Sequence, residues 1–300
     1  MQDLEGFVAP AIQQIVETNT LPKPSGVETQ KLLFFIALQT MRTPTHAGSM
    51  AEGFDKMLDL ALADLSDLEK RRFKLTDAIR FSIETSALIA EYWSDLSIHL
   101  FVNMGQFAFV TSDNPAVLYN QYCEHLKGRG TTGAIKRGLM VFVPLSPRHL
   151  VLLYDSDVYK VENKRTSLSY VSNSSDLTTL NALQVINSEN VLLFSDWTEL
   201  NLIRQVVART KKYRRRDSSE AVEFVRPEGS DSDFLFQIYP VPHNIHLNLS
   251  FVRLTRDAKR VPPKLRGLQS RPAHKQPRFP TTGITNPERE RFVRKDLFEK

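Results

Sequence analysis

At Ser97 the chain changes period, and that change restricts its fold more than any other feature. Before it, apolar residues recur at helical spacing. After it they come in short β-branched or aromatic runs, "SIHLFVN", "FAFVTS", "LMVFVPLS" and "HLVLLYDS", separated by turn residues. Helices followed directly by strands, with later helices interspersed, imply an α+β protein: a helical N-terminal part packed on a mixed, mainly antiparallel sheet with additional helices. No linker separates the two parts, so residues 1–256 are expected to form one domain, helical over 1–96 and mixed α/β over 97–256. No internal repeat is visible.

The individual elements follow from local pattern. "GVETQKLLFFIALQTMR" puts Leu32, Phe35, Ile36 and Gln39 on one helical face, and Pro44 stops it. Residues 47–72 read as a second amphipathic helix. A third opens at the N-cap candidate Thr76, with Ile79, Ile83, Leu88 and Trp93 facing inward. "LMVFVPLSPRHLVLLYD" is a hairpin turning at Ser-Pro-Arg, with a strand end expected at Pro144. "SDLTTLNALQVINSEN" is a helix opening at Ser175 or Asp176. The strand "VLLFSD" and the helix "WTELNLIRQVVARTKKYRRR" follow, then strands at "EAVEFVRP", "FLFQIYP" and "HLNLSFVRL".

Charge is unevenly distributed. Residues 253–300 hold 14 Lys/Arg and 5 Asp/Glu, a balance of +9, whereas the preceding 252 residues balance at −4. Residues 257–300 are also rich in proline and poor in apolar residues, which predicts a basic, disordered tail able to meet phosphates or an acidic partner. The single cysteine, Cys123, excludes a disulfide framework and a cysteine-rich zinc site. The longest apolar block, "LLFFIAL", is too short to span a bilayer, and the first residues do not form a secretory signal. A soluble, cytoplasmic protein is expected.

The candidate site centres on "FAFVTSDNPAVLYN". Asp113 at a strand end could act as a general base or metal ligand, or could close an Asx-turn fixed by Pro115. Ser112 and Asn114 flank it. Arg42 either complements a helix C-terminus or lies buried beside Asp113, holding it or a phosphate. Asn181, Gln184 and Asn187 recur at three-residue spacing, a polar stripe that faces either solvent or a cleft with Asn181 and Gln184 in it. Asp155 and Asp157 would share a face in a continuing strand and could form a carboxylate pair with a metal, whereas in a turn they are ordinary loop acids; separately, Asp113 with Asp155 is a candidate for binding a divalent metal. His243 and His246 lack a third zinc ligand in sequence, and His46, His149 and Cys123 carry no motif. Lys211, Lys212, Arg214, Arg215 and Arg216 form a cationic helix end suited to a nucleic-acid backbone or to the helix dipole. No Gly-rich phosphate loop, Gly-x-Ser-x-Gly elbow or His-Glu-x-x-His is present.

In order along the chain, "LLFFIALQTMRTP", "FAFVTSDNPAVLYN", "GLMVFVPLSPRHLVLLYD", "DLTTLNALQVINSENVLLFSD" and "HLNLSFVRLTRDAKR" resemble a widespread, largely bacterial family, domain of unknown function 4238, over roughly residues 3 to 260. Family members usually open with a His-rich segment containing His-Tyr-Val-Pro. This chain begins directly in the first helix, so the resemblance implies a form without whatever chemistry those histidines carry. The family implies no reaction. Two readings stay open: a nucleic-acid-associated protein with a metal-dependent hydrolase site at Asp113 and Arg42, and a non-catalytic interaction or regulatory module. The sequence leaves enzyme status, cofactor and oligomeric state undecided.

Overall fold

The structure, a computed structural model, describes residues 2–42, 82–126, 131–213, 219–224, 235–240, 245–263 and 270–271. The expected helix over 47–72 and the Thr76 cap lie outside these residues. Two helices open the chain, α1 (Gln2–Thr18) and α2 (Val27–Met41), and a third, α3, covers residues 82–93. The strands follow: β1 (Ser97–Asn103), β2 (Thr111–Ser112), β3 (Val117–Tyr119), β4 (Met140–Ser146), β5 (His149–Tyr154), β6 (Tyr159–Val161) and β7 (Leu168–Val171). After α4 (Ser174–Asn187) come β8 (Leu192–Leu193), α5 (Leu200–Thr210), β9 (Ser219–Phe224), β10 (Leu235–Pro240), β11 (Val252–Leu254) and α6 (Arg256–Arg260). The α+β class read from the sequence is the class observed.

The main sheet has the order β3-β4-β5-β1-β7, antiparallel throughout except for the parallel β1–β7 pair. Its strands alternate between two cores, as period-2 side chains must. Leu100 and Val102, Val141 and Val143, and Val151 and Leu153 face Ile15, Leu32, Leu33, Ile36 and Trp93 of the N-terminal helices. Phe101, Met140, Phe142, Leu150 and Leu152 face Leu177, Leu180 and Leu183 of α4 together with Leu247, Leu249 and Phe251. A sheet covered on both faces explains why all of β5 is buried and reads as one apolar run. Each fully buried Leu or Phe contributes about 1.5–3 kcal/mol, so this sheet organises the molecule. A smaller third cluster joins Ala182 and Val185 of α4 to Ile203 and Val206 of α5.

Several details differ from expectation. In α3 the buried positions are Ser86, Ala90 and Trp93, while Ile83 and Leu88 are exposed; the inward stripe keeps the helical period but is set by Trp93. Pro144 does not end β4, which continues to Ser146 through a register shift against β5, a place where a missing N–H is tolerated. The N-cap of α4 is Asn173, whose side chain accepts the N–H of Ser175. The stretch "FAFVTS" supplies only the two residues of β2, and "HLNLSFVRL" only Val252–Leu254.

Part of the region read as tail is packed. Thr255 caps α6, and Tyr122 donates its hydroxyl to the Val261 carbonyl. Arg271 lies against α3 and residues 134–136, bonded to Asp95. Among the described residues, no helix is long and apolar enough to cross a membrane.

Candidate functional site

Residues 107–116 run beside α4 without a conventional strand partner over most of their length, and side chains supply the missing hydrogen bonds. Asn103 Nδ2 donates to the Phe107 carbonyl at 2.8 Å. Glu199 Oε1 accepts the Ala108 N–H at 2.9 Å. Asn181 takes both sides of the backbone: its Oδ1 accepts the Val110 N–H at 3.0 Å and its Nδ2 donates to the Ala108 carbonyl at 2.8 Å. Gln184 Nε2 donates to the Pro115 carbonyl at 2.8 Å, and its Oε1 accepts the Ser112 hydroxyl at 3.1 Å. Asn187 Nδ2 donates to the Asn114 carbonyl at 2.7 Å. The stripe of Asn181, Gln184 and Asn187 therefore faces inward, with Asn181 and Gln184 each 1% exposed, rather than toward solvent. Satisfying a buried backbone is the reason polar residues occupy that face.

Asp113 completes this arrangement. Its Oδ1 accepts the Glu189 N–H at 2.9 Å, and its Oδ2 accepts those of Asn190 at 2.7 Å and Val191 at 3.0 Å. Its own N–H donates to the Val191 carbonyl at 3.2 Å. The carboxylate ties the end of β2 to the turn after α4, while the Ser112 hydroxyl accepts the Asn114 N–H and shapes the Asn-Pro step. Ser112, Asp113, Asn114, Asn181 and Gln184 thus form one constellation, directed at the protein's own backbone.

The other candidates lie in different surroundings. Arg42 is the exposed C-cap of α2, its N–H donating to the Leu38 carbonyl, which is the helix-end role and not the buried one. Asp155 is buried where β5 ends. Its Oδ2 accepts the Gly138 N–H at 2.9 Å and its Oδ1 that of Asp157 at 3.0 Å, so the two acids share a turn and not a strand face. Gly138 needs to be glycine there: its φ is +81°, and a Cβ would meet Asn120 Oδ1 at 2.7 Å. Each carboxylate oxygen of Asp113 and of Asp155 accepts a backbone N–H, and the two acids stand in different turns. Among the described residues no cluster of three His, Cys, Asp or Glu is assembled. His246 pairs with Glu124 at 3.2 Å, and His243 lies outside the described residues. His149 is held between Ser146 and Asn19, joining β5 to the end of α1. Burial pushes the Cys123 thiol up to about 12, which leaves it unreactive.

His99, which carries no sequence signal beyond its place in an apolar strand, is fully buried in β1. The Ser169 hydroxyl donates to the Glu162 carbonyl, so the 2.9 Å contact between Ser169 and His99 Nε2 makes that nitrogen the donor and leaves Nδ1 bare and unpaired. Burial lowers its pKa from 6.5 to about 4. Above pH 6.5 the ring is neutral folded or unfolded. Between that value and about 4 the unfolded chain takes up a proton that the folded chain refuses, so stability falls with pH by about 3 kcal/mol and then levels. In urea melts across this window, His99→Phe is expected to reduce the pH slope by close to one proton.

The surface around α5 has a different character. Between Leu200 and Arg216 there are seven Lys/Arg and no Asp/Glu. α5 buries Ile203, Val206 and Thr210, leaving Arg204 and Arg209 exposed with Lys211 and Lys212 beyond them; Arg214, Arg215 and Arg216 lie outside the described residues. Lys212 sits 4.8 Å from the Tyr213 ring centroid. Just before α5, Trp197 is 77% exposed. The sequence motif drew attention to the terminal cations and not to Arg204, Arg209 or Trp197, although the span from Leu200 to Arg216 is free of acids.

No curated protein and no solved structure matches the chain. The model of the family described as protein of unknown function (DUF4238) matches residues 1–198, which takes in α1 to α4 and the whole polar constellation around Asp113, and the chain belongs to that family.

Proposed function

We propose that the protein binds nucleic acid through the exposed cationic face of α5, and that Asp113 and its neighbours are structural rather than catalytic. The observation that carries this reading is the acid-free run of seven cations, four of them on described, exposed positions. A helix C-terminus presents only about half a negative charge, which one or two cations answer, so seven exceed what the dipole explains. The non-catalytic half rests on the Asp113 carboxylate, whose oxygens already accept three backbone N–H groups. The basic residues beyond Arg256 add charge to the same chain.

Fluorescence anisotropy of labelled oligonucleotides with the full chain tests this. Binding is expected to weaken linearly on a log–log plot against salt. Replacing Arg204, Arg209, Lys211 and Lys212 together by alanine should lower the magnitude of that slope by about 3, since each phosphate contact contributes roughly 0.7–0.9. Absence of binding at about 50 mM salt, or an unchanged slope in the variant, would overturn the reading.

A further inference from the structure

We propose that this surface prefers single-stranded over duplex nucleic acid because Trp197 stacks on an unpaired base while the α5 cations follow the phosphates. The inference rests on the reading of α5 as a nucleic-acid face and adds the strand form that it takes.

Trp197 is the most exposed large apolar side chain among those described, at 77%. It is nevertheless held in place. Asp196 caps its turn by accepting the Thr198 N–H at 2.8 Å. Phe194 meets the indole edge-on, at 5.1 Å between centroids and 84° between planes, and itself packs on the cluster between α4 and α5. A flat ring fixed from below and open to solvent is a stacking platform. The acids closest in sequence are engaged with the backbone, Asp196 as the cap and Glu199 on the Ala108 N–H.

Trp197 opens a 3-10 turn, Trp197–Glu199, that leads directly into α5, so Arg204 follows seven residues on, about 10–12 Å along the axis. Exposed Arg209 near the end of α5, and Lys211 and Lys212 just past it, extend the cationic path. A duplex offers phosphates to such a path but keeps its bases stacked on one another, so only an unpaired strand engages both features.

The test uses the full chain with an oligo-dT strand and a duplex of equal length, followed by anisotropy and indole fluorescence. Trp93 is fully buried, so quenching on binding reports Trp197. Wild type is expected to bind the single strand more tightly and to be quenched by it. Trp197→Ala should weaken single-strand binding about tenfold while leaving duplex affinity and the salt slope unchanged, and Trp197→Phe should retain most of the affinity. Wild-type binding that Trp197→Ala leaves unaltered, or weakens equally for both strand forms, overturns the stacking proposal and leaves the α5 reading intact. A wild type that binds neither form overturns both.

Discussion

Arg271→Ala is expected to lower the unfolding free energy by about 3–5 kcal/mol, the range for removing one partner of a buried ion pair. The guanidinium side chain is 6% exposed and that of Asp95 13%. Nε bonds both carboxylate oxygens, at 3.0 and 2.8 Å. The remaining nitrogens donate to the carbonyls of Lys136, Tyr92 and Ala134. Alanine would leave a mostly buried carboxylate without its partner and remove the arginine donors from the Tyr92 and Ala134 carbonyls, while that of Lys136 keeps the Leu139 N–H. Arg271→Lys keeps the charge but not the planar fork, and should recover less than half of the loss. Urea denaturation of the full chain measures both. A loss under about 1 kcal/mol would be the signature of an exposed pair and would mean that Arg271 is not held against α3 in solution.

That contact also shows where sequence reading stops. Arg271 stands 176 residues from Asp95, in a stretch whose proline and charge content resembles a solvated tail. Nothing local distinguishes an arginine that docks from one that does not. The β4–β5 hairpin was legible for the opposite reason: two apolar runs around Ser-Pro-Arg determine each other's register, and burial on both faces makes the runs continuous. Between these extremes lies "FAFV". Its composition is that of a strand, and it is buried, but side chains of Asn103, Asn181 and Glu199 take most of its hydrogen bonds, with the Phe109 N–H on the Pro147 carbonyl. Local pattern reports the conformation a segment favours and not which groups will satisfy its backbone. The same gap explains the candidate site. Polar residues at a strand end and on one helix face pointed to a shared partner, and Asp113, Ser112, Asn114, Asn181 and Gln184 do lie along one segment. That the partner is the chain's own backbone required the fold.

Asn181→Leu tests that conclusion most severely. The substitution keeps the branched shape but is bulkier, so no cavity forms and any crowding adds to the loss. It removes the acceptor for the Val110 N–H and the donor for the Ala108 carbonyl, at a position 1% exposed. Each buried backbone group left unpaired costs about 1–3 kcal/mol, which sets the expected loss near 4 kcal/mol. The effect should be local before it is global: the Val110 amide is expected to exchange much faster in the variant under native conditions, while amides of β4 and β5 keep their protection relative to the lowered global stability. Asn181→Asp should fare little better, because it restores the acceptor but loses the donor and places a charge in the interior. If Asn181→Leu instead loses less than about 1 kcal/mol, water or another group must satisfy residues 108–110. The amide side chain would then be available to a ligand, and a binding cleft at Asp113 would again compete with the structural role argued for it.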